Sequence, residues 1–387
     1  MTLPVDGTRV FMLASTLVTG GAERVFESLA RGLPRLGYVT EVLCLHAPGR
    51  TGERLIEAGV PVKHGLLGAK YDPFSAAKFS RIFSGHRDGI LLALDHHNAI
   101  AIGIGAARLA GLKRRVLSVH STGLWEKGRS FTRLDRLFLG GFGRIVALAG
   151  MHRDHLVEME GIEPGKIHLI NNGVDTDRFA PANEATKSSV RKELEIDAGR
   201  FTVSIVAALR PEKNHEMFLD AAALLKKRHR DRFVFLITGS GTEEEKLREM
   251  SSQLELDDSV RFLGDRDDVD MILKGSDASV LCSHPVVETF PLAVLEAMAT
   301  GIPVISTGVG SIPEIIEDGV DGMIIESGDT GGLAAAIEML EGDEEYAAVT
   351  GARARVKAED RYSVRGMVDS YARLFEEMKG PENKLET

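Results

Sequence analysis

The sequence is short of cysteine, of long apolar runs and of any repeated or low-complexity segment. Only two cysteines occur among 387 residues, Cys44 and Cys282, far apart and outside any C-x-x-C or Cys/His spacing. That argues against a disulfide framework and a structural zinc site, and a reducing compartment is expected. The most apolar longer stretch, residues 98–112, carries Arg108 and several glycines and falls short of a membrane span. Behind Arg9 the run Val10 to Ala14 is too short for the apolar region of a secretion signal. A cytoplasmic protein, at most peripheral on the cytoplasmic membrane face, is therefore expected.

What is present is ordinary globular composition, 43% hydrophobic, at a length that exceeds one average domain. The net charge of −10 is unevenly spread. Residues 1–180 hold 23 Lys+Arg against 17 Asp+Glu, while residues 101–150 alone hold 9 against 2. A local basic surface, residues 113–138, combines Lys113, Arg114, Arg115, Lys127, Arg129, Arg133 and Arg136 with Trp125, Phe131 and Phe138. This mixture predicts peripheral contact with an anionic membrane, although Arg133, Arg136 and Leu137 also suit an amphipathic helix packed on a sheet. With no recognition motif beside the charge, nucleic acid is not expected as a partner.

Strand-like runs alternate with amphipathic helical stretches, the signature of parallel α/β layers. In the first half the strands are read at 9–15, 39–45, 62–67, 89–95, 115–120 and 144–149, with helices at 22–36, 74–83 and 124–138. After a polar segment, 175–200, alternation restarts with strands at 201–209, 233–238, 260–263, 278–283, 303–307 and 322–326. This predicts two Rossmann-like doubly wound domains, 1–174 and 175–362, facing across a crevice. A C-terminal helix, 363–379, is expected to pack back toward the first domain, and 380–387 reads as a frayed tail.

The most informative segment runs from Ser283 to Val304 as strand, loop, helix, strand. Pro291 suits the first helical turn and Gly301 the C-cap. Backbone N–H groups of Thr289, Phe290 and Leu292 would then form an anion site at the helix N-terminus, flanked by Glu288 and Glu296. Carboxylates beside a phosphate site are not favoured by phosphate charge, so hydrogen bonding to sugar hydroxyls is the expected duty. Alone, an E-x7-E spacing is more often a capping acid and a paired helix residue, and a lone Lys213 a solvated loop lysine.

This stretch resembles the E-x-F-G/P-x-x-x-x-E element of glycosyltransferase family 4, with its following A-x-G-x-P-V. Other segments resemble that family in order: Thr19-Gly20-Gly21-Ala22-Glu23-Arg24, Ile170-Asn171-Asn172-Gly173-Val174-Asp175 with Arg178-Phe179, Arg210-Pro211-Glu212-Lys213-Asn214-His215, and Gly308-Val309-Gly310-Ser311-Ile312-Pro313-Glu314 with Asp318-Gly319-Val320-Asp321-Gly322. The resemblance covers about residues 9 to 378 and implies the GT-B architecture. It implies transfer of a hexose, with retention, from a UDP- or GDP-linked sugar to a glycan or lipid-linked acceptor hydroxyl of a cell-surface precursor. No cofactor and no metal are implied. Asp175-Thr176-Asp177 matches a metal-binding D-x-D but sits in the interdomain element.

By resemblance, Glu288 touches the donor sugar, Glu296 the ribose, and Lys213 the diphosphate. Thr289, Phe290, Pro291 and Leu292 line the donor site, Gly20 and Gly21 approach it from the first domain, and Arg266 lies in the loop that meets the base. The family's usual arginine is replaced by Ala208, leaving Arg210 as a substitute. His120 is the candidate beside the reacting centre, and His96, His97, Asn98 and His120 are acceptor-side candidates. Gly239-Ser240-Gly241 lacks the third glycine of a dinucleotide loop. Two alternatives stay open: a sugar-nucleotide epimerase of the same fold, and an idle nucleotide-sugar-binding scaffold subunit.

Overall fold

A computed structural model describes residues 7–18, 20–67, 75–123, 130–197, 199–285 and 288–380, together with the backbone but not the side chain of His97. The chain forms two compact units, residues 1–172 with 364–387, and residues 173–363.

The first unit is built on a parallel sheet of β1 (Arg9–Ala14), β2 (Val39–Cys44), β3 (Val62–Lys63), β4 (Ile90–Leu94), β5 (Arg114–Ser118), β6 (Arg144–Ala147) and β7 (Ile167–Leu169), in the order β3-β2-β1-β4-β5-β6-β7. The second carries β8 (Phe201–Val206), β9 (Phe233–Thr238), β10 (Val260–Gly264), β11 (Ala278–Leu281), β12 (Val304–Thr307) and β13 (Met323–Ile325), in the order β10-β9-β8-β11-β12-β13. Both are doubly wound. Every residue of β4, β9 and β11 is buried, as expected of central parallel strands covered on both faces. Each fully buried Leu, Ile or Val contributes about 1.5–3 kcal/mol of transfer free energy.

In such sheets the chain order reverses at one seam, and the loops leaving the strand ends there diverge to leave room for a ligand. The seams are β1|β4 and β8|β11. The glycine-rich segment after β1 and the His96 segment after β4 flank the first. The Lys213 segment after β8 and the Glu288 segment after β11 flank the second.

The C-terminal helix Val364–Glu377 groups with the first unit. Its buried positions Met367, Val368, Tyr371, Ala372, Leu374 and Phe375 recur at helical spacing. Tyr38 meets Phe375 edge-on at 5.7 Å and donates its hydroxyl to Glu376 at 2.7 Å.

Several elements differ from the sequence reading. The polar stretch 175–200 contains a helix, Glu184–Glu193, capped by Asn183. The helix expected over 124–138 is Arg133–Leu139, opened by a capping box of Thr132 and Asp135; residues 124–129 lie outside the described residues. The strand expected over 62–67 shortens to Val62–Lys63. Pro291 sits at the N-cap of the helix Leu292–Thr300, not within it, while Gly301 takes the left-handed C-cap. Among the described residues no helix is long and apolar enough to cross a membrane.

Candidate active site

In the second unit the chain leaves β8 through Ala207–Arg210 into a single 3-10 turn, Pro211–Lys213, which ends at Asn214 in the left-handed conformation. The helix His215–Arg228 begins there. From β11 the chain passes through Cys282, Ser283 and His284 to Glu288, and then into the helix Leu292–Thr300. The backbone N–H of His284 donates to Glu212 O at 2.9 Å and ties the two loops together. Both helices start on this side of the sheet, so both N-terminal dipoles favour negative charge here.

Between these loops Lys213 Nζ donates to Glu288 Oε1 at 2.7 Å, across 75 residues of chain. Ser283 donates to the same oxygen. Glu288 is buried, and among the described residues only its Oε1 is engaged. A carboxylate has about four lone-pair sites, so Oε2 keeps its capacity to accept from a ligand. The carbonyl of Glu288 takes the N–H of Ser311 at 2.9 Å. Gly310 makes that approach possible: at φ +58°, a Cβ there would lie 2.0 Å from Glu288 O. Beside it opens a cavity of about 510 Å³ lined by Pro285, Gly308–Gly310 and Ile324–Ser327, a size that suits a small ligand.

Of the other expected donor residues, Thr289 and Phe290 are buried at the loop's end, where Phe290 anchors edge-on against Tyr362 at 5.4 Å. Pro291 and Leu292 open the helix, and Glu296 is buried within it. Arg210 is largely exposed, 3.9 Å from Glu212. Arg266 is held in a bidentate pair with Asp268 at 2.7 and 2.6 Å, which raises its own pKa and lowers that of Asp268. The D-x-D segment is a turn, with Asp175 Oδ1 accepting from the N–H groups of Asp177 and Arg178. Gly239 and Gly241 allow close packing: a Cβ at either would lie 2.1–2.2 Å from Ala207 O or Leu209 O.

In the first unit, Gly20 precedes the helix Gly21–Gly32 and lies under the Glu23 carboxylate, 2.3 Å from where a Cβ would sit. Thr19 lies outside the described residues. His96 Nδ1 accepts the N–H of Ser15 at 3.1 Å, and its Nε2 lies 3.9 Å from Glu23. Its ring therefore braces the two sides of the β1|β4 seam. His97 and Asn98 begin the helix His97–Ala110. His120 follows β5; Asp95 Oδ2 accepts the backbone N–H groups of His120 and Ser121 at 3.0 and 3.1 Å. The His120 ring is poorly solvated, which pushes its pKa down to about 4.

Ser283, Ser118, Tyr371, His152 and His215 were not singled out by the sequence. His152 is fully buried, with Nδ1 accepting from Leu148 N–H and a pKa lowered by desolvation to about 3. His215, next to Lys213, is buried and lowered to about 4, mainly by desolvation. Ser283 and His215 lie at the edges of the motifs read from the sequence without a role of their own, and no motif marks Ser118, His152 or Tyr371. Among the described residues no three His, Cys, Asp or Glu side chains are grouped to hold a metal ion.

In the basic segment, Phe131 is core and Arg136 pairs at 2.6 Å with the fully buried carboxylate of Glu160. Trp125, Lys127 and Arg129 lie outside the described residues. On the helix Arg133–Leu139, Leu134 and Leu137 are 57% and 74% exposed.

Two family models match the chain in tandem: "Glycosyltransferase Family 4" over residues 19–178 and "Glycosyl transferases group 1" over residues 186–357. A D-inositol 3-phosphate glycosyltransferase of Saccharomonospora viridis is 30% identical over 60% of this chain and 55% of its own length. The Escherichia coli UDP-Gal:alpha-D-GlcNAc-diphosphoundecaprenol alpha-1,3-galactosyltransferase is 29% identical over 70% of this chain and 71% of its own. The chain thus spans about half the length of the first relative and somewhat more of the second. Among solved structures, Anabaena HepE in complex with UDP superposes with a TM-score of 0.81 at 21% identity, over 96% of this chain and 100% of that one. WaaG, a glycosyltransferase involved in lipopolysaccharide biosynthesis, gives 0.73 at 15%, over 95% and 99%. At those identities the likeness is one of fold, the GT-B fold.

Proposed function

Because the chain belongs to the glycosyltransferases described by these two family models, we propose that it transfers a hexose from a nucleoside diphosphate sugar to an acceptor hydroxyl, its second unit holding the donor. The observation that carries this reading is the Lys213–Glu288 pair, backed by Ser283, at the β8|β11 seam between two helix N-termini. Lys213 neutralises the diphosphate as the bond from its oxygen to the anomeric carbon breaks, the service a metal gives in other transferases. Glu288 presents Oε2 to the sugar, and Glu296 serves the ribose. Retention follows if the acceptor oxygen attacks from the face the diphosphate leaves and passes its proton to the departing phosphate oxygen. His120 lies on the acceptor side.

The names of the Escherichia coli relative and of the Anabaena complex support a uridine donor. In thermal melting, one of UDP, GDP or ADP at about 100 times its Kd should raise the midpoint by roughly 5–10 °C, since such occupancy is worth about 2.7 kcal/mol. Incubation with the sugar nucleotide alone should give no isomerised product. Melting indifferent to every nucleotide would overturn the donor site, and isomerisation would make the chain an epimerase.

For a lipid-linked acceptor the supports are the diphosphoundecaprenol in that relative's name and the exposed Leu134 and Leu137 beside Arg133. Vesicles containing anionic lipid should co-sediment the protein, and salt should release it, since each surface cation contributes about 1 kcal/mol. Replacing Arg133, Leu134 and Leu137 by Ser, with Arg136 kept for its Glu160 pair, should abolish sedimentation. Equal sedimentation of both proteins would point to a water-soluble acceptor.

A further inference from the structure

The strands of the first unit are parallel, so their starts share one edge of the sheet, opposite the edge that carries the His96 and His120 segments. Arg114 is the first residue of β5 and Arg144 the first of β6, and Asp88 lies two residues before β4. From Arg114 to Ser118 the strand runs about 13 Å, at about 3.3 Å per residue, which sets this edge apart from the β1|β4 seam. A cavity of about 330 Å³ opens here, lined by the cations Arg87, Lys113, Arg114 and Arg144 and by two carboxylates, Asp88 and Glu377. We propose that this cavity is a second anion site, which takes a phosphate group away from the donor and acceptor sites.

Other basic side chains of this unit are paired: Arg9 and Lys63 with Glu41, Arg54 with Glu27, and Arg136 with Glu160. Among the described residues none of the four cations in the cavity forms an ion pair, not even with Asp88 or Glu377. Backbone carbonyls hold two of them instead. Arg114 donates Nε to Met378 O at 3.3 Å and Nη1 to Asp88 O, and Arg144 donates Nη1 to Gly143 O at 3.0 Å. Each guanidinium keeps Nη2 without an acceptor among the described residues, so a donor already fixed in place is left for an oxyanion. Both carboxylates are exposed while Arg114 and Arg144 are half-buried, so the less solvated groups are the cations. The positive field reaches their neighbours. Desolvation and then Arg144 lower the pKa of His168, against Glu377, and desolvation and then Arg108 lower that of Arg115. Four cations against two carboxylates leave an excess of two positive charges. A phosphate monoester, at about −1.5 to −2 near pH 7, complements that excess.

Inorganic phosphate also suits the Lys213 loop, so the Lys213→Ala protein keeps the two sites apart. In calorimetric titration at constant ionic strength, the wild type and Lys213→Ala should bind inorganic phosphate with the same affinity. Replacing Arg87 and Lys113 together by Ser, two exposed positions whose change spares the fold, should weaken that binding at least about tenfold. The phosphate can be free or a lipid headgroup. For the second source, vesicles containing phosphatidic acid are compared with neutral vesicles on a protein that already carries Ser at 133, 134 and 137. Loss of binding on replacing Arg87 and Lys113 marks a soluble ligand when it is seen with free phosphate, and a headgroup when it is seen only with the vesicles. Phosphate affinity lost in Lys213→Ala but kept in the Arg87 and Lys113 variant would assign the anion to the Lys213 loop and overturn the second site. Equal binding of both probes before and after that replacement, or binding of neither, would overturn it as well.

Discussion

Glu288→Gln is expected to cut turnover by at least about 100-fold while nucleoside diphosphate affinity stays within about threefold. Gln keeps the acceptor for Ser283 but loses the charge that now holds Lys213 Nζ at 2.7 Å. The lysine is then free for the diphosphate, so nucleotide binding does not suffer. On the proposed reading, what disappears is the charge on the carboxylate that hydrogen-bonds the donor sugar, an interaction stronger in the transition state than in the ground state, and a 100-fold loss of turnover corresponds to about 2.7 kcal/mol. Lys213→Ala should do the reverse to binding. It removes a charge-assisted contact to phosphate, worth about 1.5–3 kcal/mol, and should weaken the nucleotide about 10- to 100-fold by calorimetric titration. If Glu288→Gln turns over normally, Glu288 is a residue that only orders its loop.

Gly310→Ala should also reduce turnover, without replacing any candidate donor-site side chain. Its Cβ would lie 2.0 Å from the carbonyl oxygen of Glu288, 2.8 Å from the carbon and 3.0 Å from Cα, all backbone atoms with no cheap way to move. The Ser311 N–H to Glu288 O bond is broken by any shift that relieves the overlap. Gly319 supplies the control: it too is left-handed, at φ +72°, but nothing lies within 4 Å of its Cβ position. Gly319→Ala therefore costs only the conformational strain, about 1–2 kcal/mol, and lowers the melting temperature by a few degrees. Gly310→Ala should lower it further and reduce turnover at least tenfold. Equal activity of the two variants would show that the Glu288 loop does not depend on Gly310.

Much of the fold was legible because parallel strands buried on both faces must be apolar throughout. The run Ile90–Leu94 and the run Phe233–Thr238 could be read directly for that reason. Gly301 was legible too, since a left-handed helix end favours glycine. The helix Glu184–Glu193 escaped notice because it buries only Val190, and its exposed faces read as a polar linker. The strand Ile167–Leu169 escaped because three residues are too few to show a period.

The candidate site divides along the same line. Sequence alone determined the elements that local chemistry specifies: two doubly wound units, a loop ending in Lys213, and a Glu288 loop entering a helix. Each depends on residues within about a turn of one another, so spacing carries the information. The tertiary structure decided which groups meet. It set Lys213 against Glu288, engaged Arg266 with Asp268, passed the Gly310 backbone over Glu288, and placed Tyr371 on Ser118 and so on His120. Those partners, save Asp268, lie from tens to hundreds of residues apart, and hydrogen bonds between them depend on distances of a few tenths of an ångström. Only a packed core supplies such precision, because its side chains have no other room to occupy.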